Sequence, residues 1–344
     1  MALPLPHSYE PMEAELAAAL PDGPGWIYEP KWDGFRCLAF RDGDEVELRS
    51  KAGKPLGRYF PDVIAAIRAV KANRFVLDGE IVIPIRGTLS FDDLLQRIHP
   101  AESRVKKLAA STPAQLIVFD LLVDARGTDL TGRPLEARRA ALEKFAAAKL
   151  EGHPSLHLSP STDDVELARK WLADKAAGLD GVMAKRADVP YASGNRTGML
   201  KVKRMRTADC VVGGFRWAKN GKDIGSLLLG LHDAEGKLHH VGFCSALNAK
   251  VRKEARERVV ALRGGEGFSG RAPGGPSRWR KEGTGEWEAL RPELVVEVEY
   301  DHFNQGRFRH GTRFNRWRPD KDPAQCRLEQ VEREGRNAMG LIDN

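Results

Sequence analysis

The stretch IYEPKWDGFRCLAF, residues 27–40, places Lys31 beside Asp33 and Gly34, between two apolar runs that are typical of β-strands. A lysine at such a point is either a solvated surface charge, which is the usual role of the residue, or a nucleophile. The nucleophile hypothesis requires partners elsewhere in the chain that lower the pKa of the lysine, hold a phosphate and bind a metal ion. The rest of the sequence decides between these two interpretations.

Length and composition indicate a globular protein with about two domains. Of the 344 residues, 42% are hydrophobic and 30% are charged. No apolar run approaches the roughly 18 residues that a membrane helix needs, so no membrane association is expected. The N-terminal residues lack a basic leader before an apolar core, which argues against a signal peptide and favours a cytoplasmic protein.

The cysteines and the net charge narrow the function classes. The four cysteines show no C-x-x-C spacing, which argues against a zinc site and against a disulfide framework. The formal net charge of +7 favours a polyanionic partner such as nucleic acid, although surplus Lys and Arg residues also serve solubility.

Hydrophobic periodicity predicts a mixture of strands and helices in the first 200 residues. Strands are expected at 35–40 and 45–49, joined by a turn at Asp42-Gly43. Helices are expected over the segments 11–20, 61–70, 134–149 and 161–177.

Residues 75–83, FVLDGEIVI, predict a strand that carries two carboxylates on one face. The period of two puts Asp78 and Glu80 on that face, with Leu77 and Ile81 on the opposite one. An ordinary half-exposed strand with a polar outer side would have the same pattern. Residues 116–122, LIVFDLL, indicate a buried strand that contains Phe119.

Carboxylates and lysines also accompany two later strands. Asp180 precedes a strand that ends at Lys185, and alternation places Lys201 and Lys203 on one face of the next strand. The chain therefore supplies a candidate nucleophile, carboxylates able to hold Mg²⁺ and further lysines for phosphate oxygens. Nucleotidyl transfer requires this combination.

Together these segments resemble the motifs of the covalent nucleotidyltransferases and, within them, of the ATP-dependent DNA ligases. The matching motifs follow in the order of the family and cover nearly the whole chain: KWDGFR (31–36), DGE (78–80), FDLL (119–122), DGVMAK (180–185), LKVK (200–203) and RFNRWRPDK (313–321). The chain length and the C-terminal motif are most similar to those of the small bacterial repair ligases called ligase C, which resemble the ligase part of end-joining ligase D.

The resemblance implies an α+β fold. An antiparallel-sheet nucleotidyltransferase (ATP-grasp-like) domain is expected over residues 1–203, followed over 204–344 by a small OB-fold β-barrel domain that carries the C-terminal motif. Short strands at 211–215, 226–231, 238–243 and 294–300, with a helix over 247–262, support the barrel. The Gly-rich, Arg-containing segment 264–285 is either a DNA-contacting loop or an ordinary surface loop.

The resemblance also implies a mechanism. Lys31 attacks the α-phosphate of ATP and carries AMP, the AMP passes to the 5′-phosphate of a nick in duplex DNA, and the 3′-hydroxyl displaces it. Nearby lysines, the metal ion and partial burial are expected to favour the neutral form of Lys31. The residues assigned to catalysis are Lys31, Asp33, Lys185, Lys201 and Lys203.

The remaining assignments from the resemblance concern binding. Glu29 recognises the adenine amino group, Phe119 stacks on the base, and Arg36 and Glu80 contact the ribose. The other residues assigned to the nucleotide are Met183, Lys185, Lys201, Lys203, Arg316, Arg318 and Lys321. Mg²⁺ or Mn²⁺ is assigned to Glu80 and Asp180, and DNA is assigned to Arg49, Lys51 and Arg313.

Two assigned residues depart from the usual motifs of the family. Asp180 stands where Glu is usual, and Lys51 stands where an Arg that could grip a phosphate with two hydrogen bonds is usual. The resemblance implies a monomer that acts on nicked or broken double-stranded DNA, with a repair polymerase or end-joining proteins as candidate partners. An RNA ligase or RNA-capping guanylyltransferase shares the core motifs, and a non-catalytic nucleic-acid binder would explain the charge.

Overall fold

The computed structural model describes residues 3–173, 179–274, 286–332 and 338–342, which form two compact units. The described residues up to Arg204, together with 338–342, belong to the first unit, and those from Met205 to 332 belong to the second. The sequence assigned 338–342 to the C-terminal domain. Instead, Leu341 and Ile342 pack against an apolar cluster of the first unit. The limits of the functional domains stay a prediction.

The first unit contains the following elements in chain order: β1 (Glu15–Ala17), β2 (Trp26–Lys31), β3 (Phe35–Asp42), β4 (Glu45–Ser50), α1 (Pro61–Ala69), β5 (Arg74–Val82), β6 (Pro84–Ile85), β7 (Thr88–Leu89), α2 (Phe91–Arg97), α3 (Glu102–Ser111), β8 (Gln115–Val123), α4 (Leu135–Lys149), β9 (Leu156–Leu158), α5 (Val165–Ala173), β10 (Gly181–Arg186) and β11 (Met199–Lys203). Single 3₁₀ turns occupy Gly57–Tyr59 and Met339–Leu341. The end of the helix predicted over 161–177 lies outside the described residues.

Two main sheets organise this unit. The larger has the strand order β4-β3-β5-β8-β9, with every pairing antiparallel except that of β8 with β9. The smaller has the order β1-β11-β10-β2, with only the edge strand β1 running parallel to its neighbour. The predicted hairpin is present as β3 and β4, and its turn residue Gly43 has a φ of +62°. The α+β class predicted from the sequence is confirmed.

Strand β5 places its carboxylates as its period of two predicts. Leu77 and Ile81 are fully buried on one face, in the core formed with α1 and α4. Asp78 on the other face is also 0% exposed, so the interpretation of β5 as an ordinary strand with a solvated polar side is wrong. A carboxylate buried this deeply needs a charged or hydrogen-bonded partner, and Asp78 has one in the site described below.

The helix predicted over residues 11–20 is not formed. Glu15–Ala17 instead forms β1, which pairs in parallel with β11 through Glu15 opposite Leu200. The alanines and glutamates of this segment favour a helix intrinsically, but pairing with a sheet edge overrides that weak preference. This segment therefore forms the edge strand of the smaller sheet.

The second unit contains β12 (Arg206–Trp217), β13 (Ile224–His232), β14 (Leu238–Ala246), α6 (Ala249–Ala261), β15 (Glu288–Ala289), β16 (Val295–Tyr300), β17 (Phe303–Asn304), β18 (Arg307–Phe308), β19 (Thr312–Trp317) and α7 (Glu329–Glu332), with a 3₁₀ turn at Pro323–Gln325. The order β13-β14-β19-β16-β12 closes on itself because β12 also pairs with β13. The result is a barrel with α6 inserted between β14 and β16, which is the architecture expected of an OB-fold. No helix in the described parts of either unit is long and apolar enough to span a membrane.

Candidate active site

A pocket of about 190 Å³ in the first unit receives side chains from both main sheets. The smaller sheet contributes residues of β2, β10 and β11, and the larger contributes residues of β3, β5 and β8. The predicted site residues that line the pocket are Glu29, Lys31, Arg36, Lys51, Glu80, Phe119, Met183, Lys185 and Lys201. Segments more than 150 residues apart in the sequence thus meet at one place.

Strand register explains why the charged residues of the smaller sheet share a face. Gly181 of β10 pairs with Lys31 on one side and with Lys203 on the other. Two residues along the strand, Met183 pairs with Glu29 and with Lys201. Since side chains alternate along a strand, these two rows point to the same face. Gly181 has no side chain in the row it shares with the lysines, and a Cβ there would collide with the Val202 carbonyl oxygen.

Lys31 forms an ion pair with Asp180, the residue that directly precedes β10. Burial lowers the pKa of Lys31, but the attraction of Asp180 and the weaker fields of Glu80 and Asp33 raise it by more. The net result is a raised pKa. The prediction that the surroundings favour neutral Lys31 is therefore wrong for this structure, because the nearby carboxylates outweigh the effect of burial.

Lys185 is paired with Glu29 rather than placed free for a phosphate. The Lys185 ammonium lies 2.6 Å from Glu29 Oε2, and both side chains are almost fully buried. Glu29 Oε1 is buried and has no hydrogen-bond partner among the described residues. Arg139 Nη1 lies 3.8 Å from this oxygen, beyond hydrogen-bonding distance. The second carboxylate oxygen is thus available to accept a hydrogen bond from a ligand.

Arg36 and Asp78 form a buried ion pair in the larger sheet. Arg36 Nε and Nη2 each donate to one oxygen of Asp78 at 2.5 Å. Glu80 lies directly opposite Arg36 in the backbone register of β3 and β5. Burial raises the pKa of Glu80 to about 7, although Arg36 and Lys31 act in the opposite direction. Arg36 lines the pocket as predicted, but its main partner in this structure is Asp78.

Phe119 owes its position to an irregularity in β8. Asp78 pairs with Asp120 and Gly79 pairs with Val118, so Phe119 is the extra residue of a β-bulge. Bulges re-aim side chains, and here the ring enters the pocket. Arg36 Cζ lies 4.5 Å and Lys185 Nζ 4.6 Å from the ring centroid. The ring is therefore already in contact with two cations of the site.

Lys201 lies in the pocket with a lowered pKa. Burial lowers its pKa most, followed by the positive charges of Lys51, Lys31 and Lys203. Lys203 is not part of the pocket lining, although its charge reaches Lys201. Lys201 is therefore a lysine of the pocket that is surrounded by other positive charges.

The residues assigned to DNA in the first unit lie at an open surface. Arg49 and Lys51 line a shallow depression with His7, Ser8 and Glu10. The Lys51 side chain is 56% exposed and pairs with Glu13 at 3.2 Å. A contact of Lys51 with a phosphate would have to compete with this ion pair.

The assigned residues of the C-terminal motif lie in the second unit and are paired there. Arg316 contacts Glu297 at 2.8 Å, and Arg318 contacts Asp209 at 2.8 Å and Asp320 at 2.8 Å. Lys321 lies 3.5 Å from Asp209, and Arg313 is exposed on β19. Asp209, Glu297 and Arg316 form one row because they pair across β12, β16 and β19.

The carboxylates near Lys31 fit a hard divalent cation with few protein ligands. No group of three or more potential ligand side chains converges within the part of the chain that the structure describes. However, Asp180, Glu80 and Asp33 all act electrostatically on Lys31, and the pKa of Glu80 is raised to about 7. Mg²⁺ is often held by one or two carboxylates with water and substrate phosphates, so this donor set suits it.

Sequence reasoning missed one side of the pocket. Pro11, Met12, Glu13 and Ala14 line it, in the segment predicted as a helix. Trp32 also contributes, with its indole N–H donating to Ser159 Oγ at 2.9 Å. No local signal revealed this wall, because Pro11 is compatible with the first position of a helix and the contacts of the segment are with distant residues.

Comparison with known proteins gives consistent matches over both units. The family model "ATP dependent DNA ligase domain" matches residues 10–203, and "ATP dependent DNA ligase C terminal region" matches residues 220–321. DNA ligase C of Mycobacterium tuberculosis is 45% identical over 348 residues, which covers 97% of this chain and 96% of that protein. DNA ligase C1 of Mycolicibacterium smegmatis is 44% identical over 343 residues and covers 96% of each chain.

Solved structures show the same fold. One solved structure, described as "DNA binding with a minimal scaffold: Structure-function analysis of Lig E DNA ligases", matches with a TM-score of 0.53. The match covers 90% of this chain and 99% of that chain. At 18% identity, this likeness concerns the fold alone. With the family models, it confirms the predicted nucleotidyltransferase fold followed by an OB-fold barrel.

Proposed function

The chain belongs to the ATP-dependent DNA ligases, enzymes that seal nicks through a lysine–AMP intermediate, and from this premise we propose that Lys31 is the lysine that carries AMP. The observation that supports this role best is the position of its amine. Lys31 lines the pocket at the end of β2, and its side chain remains 22% exposed. Lys185, which also forms an ion pair, is only 4% exposed, so its amine is less accessible than that of Lys31.

The charges around Lys31 decide whether it is protonated or a neutral amine. While Asp180, Glu80 and Asp33 are negatively charged, they hold Lys31 in its protonated, unreactive form. We assign Mg²⁺ or Mn²⁺ to Asp180 and Glu80. When bound, such a cation would neutralise these carboxylates and offset negative charge on the phosphate oxygens. Lys31 would then lose its proton more readily, and its amine could attack the α-phosphate of ATP and release pyrophosphate.

The adenosine moiety fits the remaining lining. Glu29 Oε1 is a buried acceptor that suits the adenine amino group. Phe119 offers an aromatic surface at the bulge of β8, and Met183 lines the same pocket. Arg36 and Glu80 are placed at the same pocket for the ribose. Lys201 and Lys203 supply positive charge for the phosphates.

A labelling experiment tests the assignment of Lys31. Wild-type protein incubated with radiolabelled ATP and Mg²⁺ should form a covalent AMP adduct, whereas Lys31→Ala should form none. Lys106→Ala is the matched control, because Lys106 is 70% exposed on α3, where it pairs with Glu102. Lys201→Ala should retain the adduct with a slower rate, because Lys201 is proposed to contact the phosphates and not to carry AMP. Labelling of Lys31→Ala at the wild-type level would refute the proposal.

The DNA substrate and the cellular role follow from the family at a coarser level. Ligase membership implies binding of nicked DNA, and we assign Arg49, Lys51 and Arg313 to its phosphates. We propose a monomeric cytoplasmic enzyme of bacterial DNA repair, with a repair polymerase or end-joining proteins as partners. Sealing of nicked, gapped and cohesive-end DNA with ATP, compared with RNA nicks and with GTP, separates this role from RNA ligation and capping.

The second unit has two assigned roles in this scheme. Arg316, Arg318 and Lys321 would contact the pyrophosphate portion of ATP during adenylation, and Arg313 would contact DNA during sealing. Each role needs a different placement of the barrel, which a hinge near Arg204 would permit. Small-angle scattering should therefore give different dimensions with ATP and with nicked DNA. Identical dimensions in both states would refute the hinge.

A further inference from the structure

Residues 11–14 form one wall of the pocket, here called the N-terminal wall. Pro11, Met12, Glu13 and Ala14 all line the cavity, and Met12 is only 3% exposed. The wall precedes the short edge strand β1 and belongs to no helix or strand itself. Its position therefore depends on side-chain and main-chain contacts with neighbouring segments.

A loop after β10 holds this wall from behind. The main-chain N–H of Glu13 donates to the Asn195 carbonyl oxygen at 2.8 Å, and Ser193 Oγ donates to the Glu10 carbonyl oxygen at 2.8 Å. The main-chain N–H of Met12 donates to the hydroxyl oxygen of Tyr191 at 2.9 Å. Of these contacts, only the last involves a fully buried side chain, since Tyr191 is 5% exposed.

The Tyr191 hydroxyl joins the wall to Arg36 through Asp78. Tyr191 donates to Asp78 Oδ2 at 2.6 Å, and Arg36 Nη2 donates to the same oxygen at 2.5 Å. Arg36 Nη2 also lies 3.4 Å from the Met12 carbonyl oxygen. The contacts form a closed circuit of Met12, Tyr191, Asp78 and Arg36. The N–H of Met12 is held by the tyrosine and its carbonyl oxygen by the arginine.

We propose that Tyr191 is a positioning residue for ATP binding, which holds the N-terminal wall and Arg36 at a fixed separation across the pocket. This inference rests on the proposed function, in which the pocket takes ATP. Without the hydroxyl, Met12 loses a buried acceptor and Asp78 keeps only Arg36 as its partner in the circuit. The wall would then move relative to Arg36, and ATP would bind less tightly.

The substitution Tyr191→Phe isolates this role, because it removes the hydroxyl and keeps the ring. The ring itself stacks on Tyr9, with centroids 6.1 Å apart, and lies under Arg138, whose Cζ is 5.5 Å from its centroid. Tyr28→Phe is a matched control. Tyr28 is 1% exposed and its hydroxyl donates to the Pro21 carbonyl oxygen at 2.8 Å, but it does not line the pocket.

Single-turnover adenylation at varied ATP concentration tests the inference. Loss of hydrogen bonds to a charged group should raise the half-saturating ATP concentration about tenfold in Tyr191→Phe, with the limiting rate within about threefold of wild type. Tyr28→Phe should leave the half-saturating concentration unchanged. If the role of the Tyr191 hydroxyl were purely structural, both variants would show the same small change in the half-saturating ATP concentration, or only the limiting rate of Tyr191→Phe would fall. Either result would overturn the inference.

Equilibrium binding separates this inference from the proposed function. Radiolabelled ATP is dialysed against Lys31→Ala and Lys31→Ala/Tyr191→Phe, in which the predicted nucleophile is absent. The dissociation constant should be about tenfold higher in the double variant. If Lys31→Ala still forms an adduct, the assignment of the nucleophile fails, and dialysis with a chelator of divalent metal ions, which prevents adenylation, still measures the effect of Tyr191. Equal dissociation constants would overturn the role of Tyr191 alone.

Discussion

Lys31 and Asp180 contact each other twice in the first unit. The main-chain N–H of Asp180 donates to the Lys31 carbonyl oxygen at 3.1 Å, and the two side chains form an ion pair. The pairing of Gly181 with Lys31 in the sheet fixes this geometry. The proposed nucleophile and a proposed metal ligand are thus linked, so a change at Asp180 alters both the charge of the lysine and the cation site.

Substitution of Asp180 should therefore separate charge from side-chain length. Asp180→Asn removes the carboxylate and should slow adenylation by about 100-fold, because the loss of a proposed metal ligand should outweigh the loss of the charge that keeps Lys31 protonated. Asp180→Glu introduces the residue that is usual at this position in the family motif, and its adenylation rate should stay within about tenfold of wild type. Adenylation is measured with radiolabelled ATP at saturating Mg²⁺. Equal rates for the two variants would contradict the role of the carboxylate.

The buried pair of Lys185 and Glu29 should matter for stability as well as for ATP. Lys185→Met leaves the Glu29 carboxylate buried without its 2.6 Å partner. The loss of one partner of a buried ion pair should reduce the free energy of unfolding by about 3 kcal/mol, as measured by urea denaturation. The double variant Glu29→Gln/Lys185→Met removes both charges and should be more stable than Lys185→Met. A double variant at least as unstable as the single one would contradict the electrostatic explanation.

The sequence predicted those features that depend on local periodicity. Alternation along β5 correctly put Asp78 and Glu80 on one face, and alternation along β11 did the same for Lys201 and Lys203. It did not reveal that Asp78 is fully buried, because its burial depends on Arg36 and Tyr191 from distant segments. Burial of a charged residue is decided by its partners, which periodicity does not identify.

Two features of the site depend on tertiary structure alone. The N-terminal wall was predicted as a helix, because the pairing of β1 with β11 has no local sequence signal. The pKa of Lys31 was predicted to fall, because the sequence shows the lysines but not their distances. The structure pairs Lys185 with Glu29 and Lys31 with Asp180, so carboxylates decide the charge of Lys31.

Arg318 provides a test of the role assigned to the C-terminal motif. If it contacts the pyrophosphate portion of ATP, Arg318→Ala should slow lysine adenylation by about 100-fold. Sealing of a nick that already carries AMP should change by less than about threefold, because that step needs no pyrophosphate contact. Both rates are measured in single-turnover assays.

Arg327→Ala is the control for the loss of an arginine elsewhere in the second unit. Arg327 Nε donates to the Ala324 carbonyl oxygen at 3.4 Å, a long hydrogen bond, and loss of the side chain should affect neither step. If Arg318→Ala slows both steps equally, the assigned role is wrong, and the ion pairs of Arg318 with Asp209 and Asp320 would have a structural role instead.

His240 should make the barrel sensitive to acid. The ring is buried, and neither of its nitrogens has a hydrogen-bond partner among the described residues. Burial, with the positive charges of Arg307, Arg216 and Arg271, lowers the pKa of His240 to about 4. The unfolded chain binds a proton below a pKa of about 6.5, whereas the folded protein resists it. Stability is therefore fully present above pH 6.5 and falls as the pH decreases towards 4.

Between pH 7 and pH 5, His240 alone should reduce the free energy of unfolding by about 2 kcal/mol. Urea denaturation at the two pH values measures this loss. In His240→Gln the ring that titrates is absent, so the difference between pH 7 and pH 5 should shrink by about that amount. His7→Gln removes an exposed histidine and should keep the wild-type difference. If the loss of unfolding free energy between pH 7 and pH 5 is the same in His240→Gln as in wild type, His240 does not control the acid sensitivity.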